Sequence, residues 1–130
     1  MTNPTPKLYV LYARASSNVN DSITAQFRNC RDLVARERLP WREVRAYYDV
    51  ATGVQDISKC PGLQQLINDV SSGDLGIDVL IVESIERLTR TDASLQLCRA
   101  LVEHGVMIIT ADGHVIAPTI PNELDSLIGE

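Results

Sequence analysis

The stretch KLYVLYARASS, residues 7–17, decides how the rest of the chain is read. Leu8, Val10 and Leu11 are strand formers, and Tyr9 and Tyr12 suit the same pleated surface, so the segment reads as a buried strand. It stops abruptly and presents Arg14 and Ser16 at its carboxyl end. In an open α/β sheet, ligands bind outside the carboxyl ends of strands, where loops converge. Arg14 and Ser16 are two apart, so on an extended backbone they point the same way, one to clamp an oxyanion and the other to attack. Alternatively, Ser16, Ser17, Asn18 and Asn20 are ordinary turn and cap residues, whose short polar side chains bond to nearby backbone.

Working outward, Asn20, Asp21 and Ser22 supply caps for a helix running to about Arg38. Its apolar stripe is Ile23, Phe27, Cys30 and Val34. Gln26 lies in the first turns, near the preceding loop, where a solvated position is the plainer alternative. Residues 41–49 form a second strand, with Val44, Ala46 and Tyr48 alternating against Glu43, Arg45 and Tyr47. The loop that follows holds Gly53, expected in a backbone conformation other residues avoid. Pro61 opens a second helix with Leu63, Leu66, Ile67 and Val70 inward, ended by Gly73 or Gly76.

Residues 78–82, DVLIV, are almost wholly apolar, the mark of a central parallel strand buried on both faces. ESIERLTRTD, residues 83–92, follows directly and gathers Glu86, Arg87 and Arg90 at another strand's carboxyl end. Arg87 and Arg90 share one face of a helical turn, though a salt-bridged surface turn would look the same. A third helix runs from about Thr91 or Asp92 to His104, with Leu95, Cys98, Leu101 and Val102 inward and Gly105 as its stop. Residues 106–110 make another buried strand, Asp112-Gly113 a turn, and 114–117 a short edge strand. Pro121 starts a last helix, with Leu124, Leu127 and Ile128 on one side. The order βαβαβαβ predicts an α/β fold: a mostly parallel central sheet with helices on both faces and a short antiparallel edge strand.

Composition narrows the classes. A chain of 130 residues is read as one domain, divided into a tail at 1–6, a catalytic domain at 7–120 and the start of a truncated helix at 121–130. No apolar run approaches the roughly 20 residues of a membrane helix, and the polar start MTNPTPK lacks a signal peptide's apolar region. No membrane partner is expected, and the expected compartment is the cytoplasm. Cys30, Cys60 and Cys98 are odd in number and widely spaced, which argues against a disulfide framework or a zinc site. His104 and His114 read as surface or loop histidines, so neither metal nor cofactor is expected. The net charge of −5 argues against gripping nucleic acid through bulk charge. Only Lys7 and Lys59 are lysines, and the remaining basic residues are arginines, whose planar fork suits bidentate phosphate contacts. Arg28, Arg31, Arg36 and Arg38 read as helix-surface residues.

Together the segments resemble the catalytic domain of the serine recombinases, the resolvase/invertase family. The resemblance rests on YARAS (12–16), SITAQ ending at Gln26, the 49–53 loop, PGLQQL (61–66) and ERLTR (86–90), in that order and spacing. It implies that the Ser16 hydroxyl attacks a DNA phosphodiester, forming a phosphoserine link to the 5′ end and freeing a 3′ hydroxyl without metal or cofactor. Arg14, Arg87 and Arg90 match the arginines that stabilise charge on the phosphoryl oxygens. Tyr12 matches the start of the first motif, Gln26 a polar residue that orders the site, and Glu86 the family's aspartate. The implied partners are double-stranded DNA and further copies of the chain, as a homo-dimer or tetramer in the full-length active form. The family also carries a long helix and a DNA-binding part after this domain, so the chain is expected to be a piece of a longer protein.

Two departures stand out: Cys60 occupies the place of a usual arginine, and Glu86 replaces aspartate. Lys59 beside Cys60 offers a point charge with poorer geometry. Cys60 opens an alternative, a catalytically impaired domain serving assembly or regulation. A flavodoxin-like phosphate or nucleotide binder is a third reading, opposed by the lack of GxGxxG or GxxxxGK[ST] after any strand.

Overall fold

From Tyr9 to Ala13 every side chain of β1 (Leu8–Ala15) is buried, because this strand is flanked on both sides. The computed structural model describes residues 6–15, 20–50, 61–84 and 93–116, without the side chains of 20–22, 93–96, 98 and 116. Within them β2 (Arg42–Val50) and β3 (Val79–Val82) pair in parallel with β1 on opposite sides. Next, β4 (Met107–Thr110) pairs in parallel with β3, and β5 (Val115–Ile116) runs antiparallel to β4. The sheet order is β2-β1-β3-β4-β5. This is the expected α/β architecture, down to the short antiparallel edge.

Alternation along the strands divides the core. Val10, Tyr12, Leu80, Val82 and Ile108 pack with Leu63, Leu66 and Val70 of α2 (Pro61–Ser72) and Leu97, Ala100 and Leu101 of α3 (Ala93–Glu103). The intervening Tyr9, Leu11, Val79, Ile81 and Ile109 pack with Cys30 and Leu33 of α1 (Asn20–Arg36). Hence α1 covers one face, and α2 and α3 the other. Each fully buried leucine contributes about 1.5–3 kcal/mol, so both faces are needed to hold β1 and β3 inside.

Three expectations are corrected. First, α1 begins at Asn20 and ends at Arg36, two residues short of Arg38. Arg38 takes φ 55°, its N–H donates to the Ala35 carbonyl at 3.1 Å, and the Leu39 N–H reaches the Val34 carbonyl at 3.0 Å. This is a Schellman stop in which arginine occupies the place usual for glycine. Second, Val102 does not face inward but is 38% exposed. Leu97, Ala100 and Leu101 set the buried stripe of α3, and Val102 lies about 100° further round. Third, in β2 Tyr47 is buried and Tyr48 is exposed. Tyr9 pairs with Glu43 but Val10 pairs with Arg45, so Val44 is an extra, bulged residue. The bulge inverts the alternation beyond it, putting Val44 and Tyr47 on the α2 side and Ala46 on the α1 side. Gly53 and the helix expected from Pro121 lie outside the described residues.

Candidate active site

The chain turns one way from β1 to β2 and the other way from β3 to β4, so the topological switch point lies between β1 and β3. The crevice at their carboxyl ends is where ligands bind in such sheets. There β3 stops first, its Val82 pairing with Tyr12, while β1 continues to Ala15. At the amino end of β1 the Lys7 carbonyl accepts from Arg42 on the β2 side, and the Leu8 carbonyl accepts from Asp78 on the β3 side. Even-numbered residues of β1 therefore turn their peptide groups toward β3.

Arg14 is even-numbered but lies beyond the end of β3. Gln26 of α1 takes the place of the missing strand. Its Nε2 donates to the Arg14 carbonyl at 3.0 Å, and the Arg14 N–H donates to its Oε1 at 3.1 Å. A carboxamide carries the donor and acceptor of a peptide group, so Gln26 continues the ladder by one rung. Gln26 is 1% exposed, which rules out the solvated position and requires these bonds to be made. Ile23 and Phe27 bring α1 here by packing over Ala13 and Ala15.

On the opposite face Tyr12 donates its hydroxyl to Asp49 Oδ2 at 2.7 Å. Asp49 also accepts from the N–H groups of Gly62 at 2.7 Å and Leu63 at 2.9 Å, two donors that the first turn of α2 leaves without helical partners. A Cβ on Gly62 would lie 2.2 Å from the Tyr48 carbonyl oxygen, so only glycine lets the helix start this close to β2. One buried carboxylate thus joins β1, β2 and the start of α2.

Further down the sheet, Glu43 accepts from Arg31 Nε at 2.9 Å and Nη2 at 2.8 Å. These bonds hold the Glu43 carboxyl below its usual range. Tyr9 lies against Glu43 at 3.4 Å, and burial, then that carboxylate, push its phenol up. Burial pushes the Cys30 thiol up to about 12, with Glu83 adding to it, so this free cysteine is an unreactive core residue. Among the described residues, no group of three His, Cys, Asp or Glu side chains is placed to hold a metal ion.

Of the predicted site residues, the structure brings Arg14 and Gln26 into contact at the end of β1 and sets Tyr12 on the opposite face. Tyr12 is buried and bonded to Asp49, which fits it to positioning. Ser16, Glu86, Arg87 and Arg90 lie outside the described residues, as do Lys59 and Cys60. Sequence reading passes over Asp49 as a site residue. Its one signal is a carboxylate at the end of the predicted strand, where the 49–53 loop opens; the tyrosine that reveals its role is 37 positions away.

The model of the resolvase N-terminal domain matches residues 9–126, nearly the whole chain. The chain belongs to the resolvase family. Solved structures share its fold. The N-terminal catalytic domain of TP901-1 integrase is 18% identical, with a TM-score of 0.70 over 95% of this chain and 92% of that one. A resolvase family site-specific recombinase from Streptococcus pneumoniae is 20% identical, with a TM-score of 0.68 over 95% and 85%. The C-terminal catalytic domain of ISC1926 TnpA, an IS607-like serine recombinase, is 21% identical, with a TM-score of 0.66 over 94% and 78%. No curated protein matches the sequence. Family membership displaces the flavodoxin-like nucleotide-binder reading. Among the described residues of this resolvase-family chain, no helix is long and apolar enough to cross a membrane.

Proposed function

We propose that the domain carries out site-specific recombination of double-stranded DNA with Ser16 as nucleophile. The Ser16 hydroxyl attacks a backbone phosphorus and forms a P–Oγ bond. The bond from phosphorus to the 3′ oxygen breaks, the serine loses its proton and the 3′ oxygen gains one. The 5′-phosphoserine link conserves the bond for rejoining, so no outside energy source is required. A serine hydroxyl is a weak nucleophile, and the transition state gathers charge on phosphoryl oxygens. Arg14, Arg87 and Arg90 stabilise that charge, Glu86 serves the leaving-group proton or orients the arginines, and Gln26 and Tyr12 hold the strand end. The catalytic unit spans 7–120, and the full protein acts in the cytoplasm as a dimer or tetramer on DNA.

The observation that carries this reading is the Gln26 carboxamide locked onto the Arg14 peptide, two residues before Ser16, at the switch point of the sheet. Such fixing of the backbone is what a preorganised phosphate site requires. A second reading follows from Cys60, which stands where the family has arginine: a resolvase-like domain disabled in catalysis and kept for assembly or regulation. Losing one donor of such a clamp costs about a hundredfold or more in rate.

Covalent trapping on DNA separates the two. The full-length protein is incubated with its own flanking DNA, alongside Ser16→Ala and Cys60→Arg, and protease-sensitive adducts are mapped by mass. An adduct on Ser16, absent from Ser16→Ala, is the expected result. An adduct only with Cys60→Arg would establish the disabled relative. No adduct with any version would reject Ser16 recombination on that DNA.

A further inference from the structure

The geometry points to Asn29 and Glu83 as a positioning pair for the cleavage step, with α1 as a splint that fixes the β1 and β3 strand ends relative to each other. This inference rests on the recombination reading above. Gln26 and Asn29 are three apart on α1 and so share a face of the helix. Gln26 grips the peptide of Arg14, at the end of β1. Asn29 Nδ2 donates to Glu83 Oε2 at 2.7 Å, and Glu83 directly follows the last residue of β3. A neutral amide donating to a carboxylate at this length is a charge-assisted bond. The Glu83 carbonyl also accepts from the Ala111 N–H at 3.4 Å, at the end of β4.

Glu83 stands three residues before Glu86 and four before Arg87. Arg14 stands two before Ser16. One helix face therefore braces both strand ends just beyond their last shared pairing, Tyr12 with Val82, on the strand that leads to the nucleophile and the strand that leads to the arginines. Proximity of this kind is sensitive, since a misplacement of about 1 Å can cost a hundredfold in rate. The pair adds little to folding. Asn29 is exposed, Glu83 is half-buried, and both line an open cavity of about 330 Å³ with Asp32, Arg36, Ala111 and Asp112. Replacement side chains there are hydrated and leave no buried hole.

The test uses the full-length protein on saturating DNA and measures the single-turnover rate of Ser16 adduct formation. DNA affinity and melting temperature are measured alongside. Asn29→Asp sets two carboxylates against each other. Combining it with Glu83→Gln restores an amide–carboxylate bond with its polarity reversed. The rate is expected to fall about tenfold or more in Asn29→Asp, with affinity and melting temperature unchanged, and to recover to within about threefold in the double variant. An unchanged rate in Asn29→Asp, a rate loss that tracks melting temperature, or a double variant no better than the single would overturn the inference and leave the recombination reading standing. No Ser16 adduct from the unmodified protein would overturn both.

Discussion

Two tyrosine–carboxylate pairs bridge β1 and β2, and they are built differently. Near the amino end of β1, Tyr9 lies 3.4 Å from Glu43, whose stronger partner is the half-exposed Arg31 on α1. Toward the carboxyl end, Tyr12 lies 2.7 Å from Asp49, which is 3% exposed and accepts from the two N–H groups opening α2. A side-chain countercharge in contact with water is screened and adjustable. Backbone amides at a helix start cannot turn away. The carboxyl end of β1 is therefore held by fixed groups, and its amino end by groups free to rearrange. This is the order expected if rigidity is placed where phosphate is to be positioned.

The sharpest way to break this contrast is Asp49→Ala. It orphans a phenol and two amides in a buried place, at about 1–3 kcal/mol each, so a loss of about 4 kcal/mol is expected from urea unfolding. A loss below about 1 kcal/mol would mean that water replaces the carboxylate and that the cage is not fixed. Next is Gly62→Ala, expected to cost about 2–3 kcal/mol because the new methyl meets the Tyr48 carbonyl and either α2 or β2 must give way. Thermal melts of this variant with and without Asp49→Ala should be non-additive, since both loosen the same joint.

Gln26→Ala is expected to cost about 2 kcal/mol by stripping the Arg14 peptide of both partners. Amide exchange at Arg14 should quicken while that at Leu11 stays slow. The smallest effect belongs to Glu43→Gln, below about 1 kcal/mol near neutral pH. Its signature is pH dependence. Glu43 is held below its usual range in the folded state, so its contribution is present above the ordinary carboxylate pKa of about 4.3 and is lost as pH falls through the lower folded value. Denaturation curves between neutral and acid pH should therefore converge for the two proteins on the acid side.

Much of this was legible in the sequence. The runs VLIV and LYVLYA are apolar on both faces, as a central parallel strand requires. Pro61 and Gly105 mark helix ends through backbone chemistry that does not depend on neighbours. What the sequence concealed depends on partners far along the chain. Gln26 looks like any polar residue of a helix's first two turns until β3 is seen to stop one rung too early. Asp49 looks like a loop carboxylate until Tyr12 and the start of α2 arrive beside it. Tyr47 and Tyr48 are the same residue type at adjacent positions, so composition cannot say which is buried. Pairing settles it through a bulge that leaves no mark in the residues.

That bulge has a consequence for how the gene can change. Glu43 and Asp49 are six positions apart, and on a regular strand they would share a face. Val44, standing opposite no residue of β1, sends one carboxylate to α1 and the other to α2. Loss of codon 44 would leave Tyr9 opposite Glu43 and Val10 opposite Arg45, with every pairing before and after intact. Loss of a codon between Arg45 and Asp49 would instead re-phase the residues between the bulge and the missing position. Length variation in this strand is thus tolerable at one codon and costly at those that follow it.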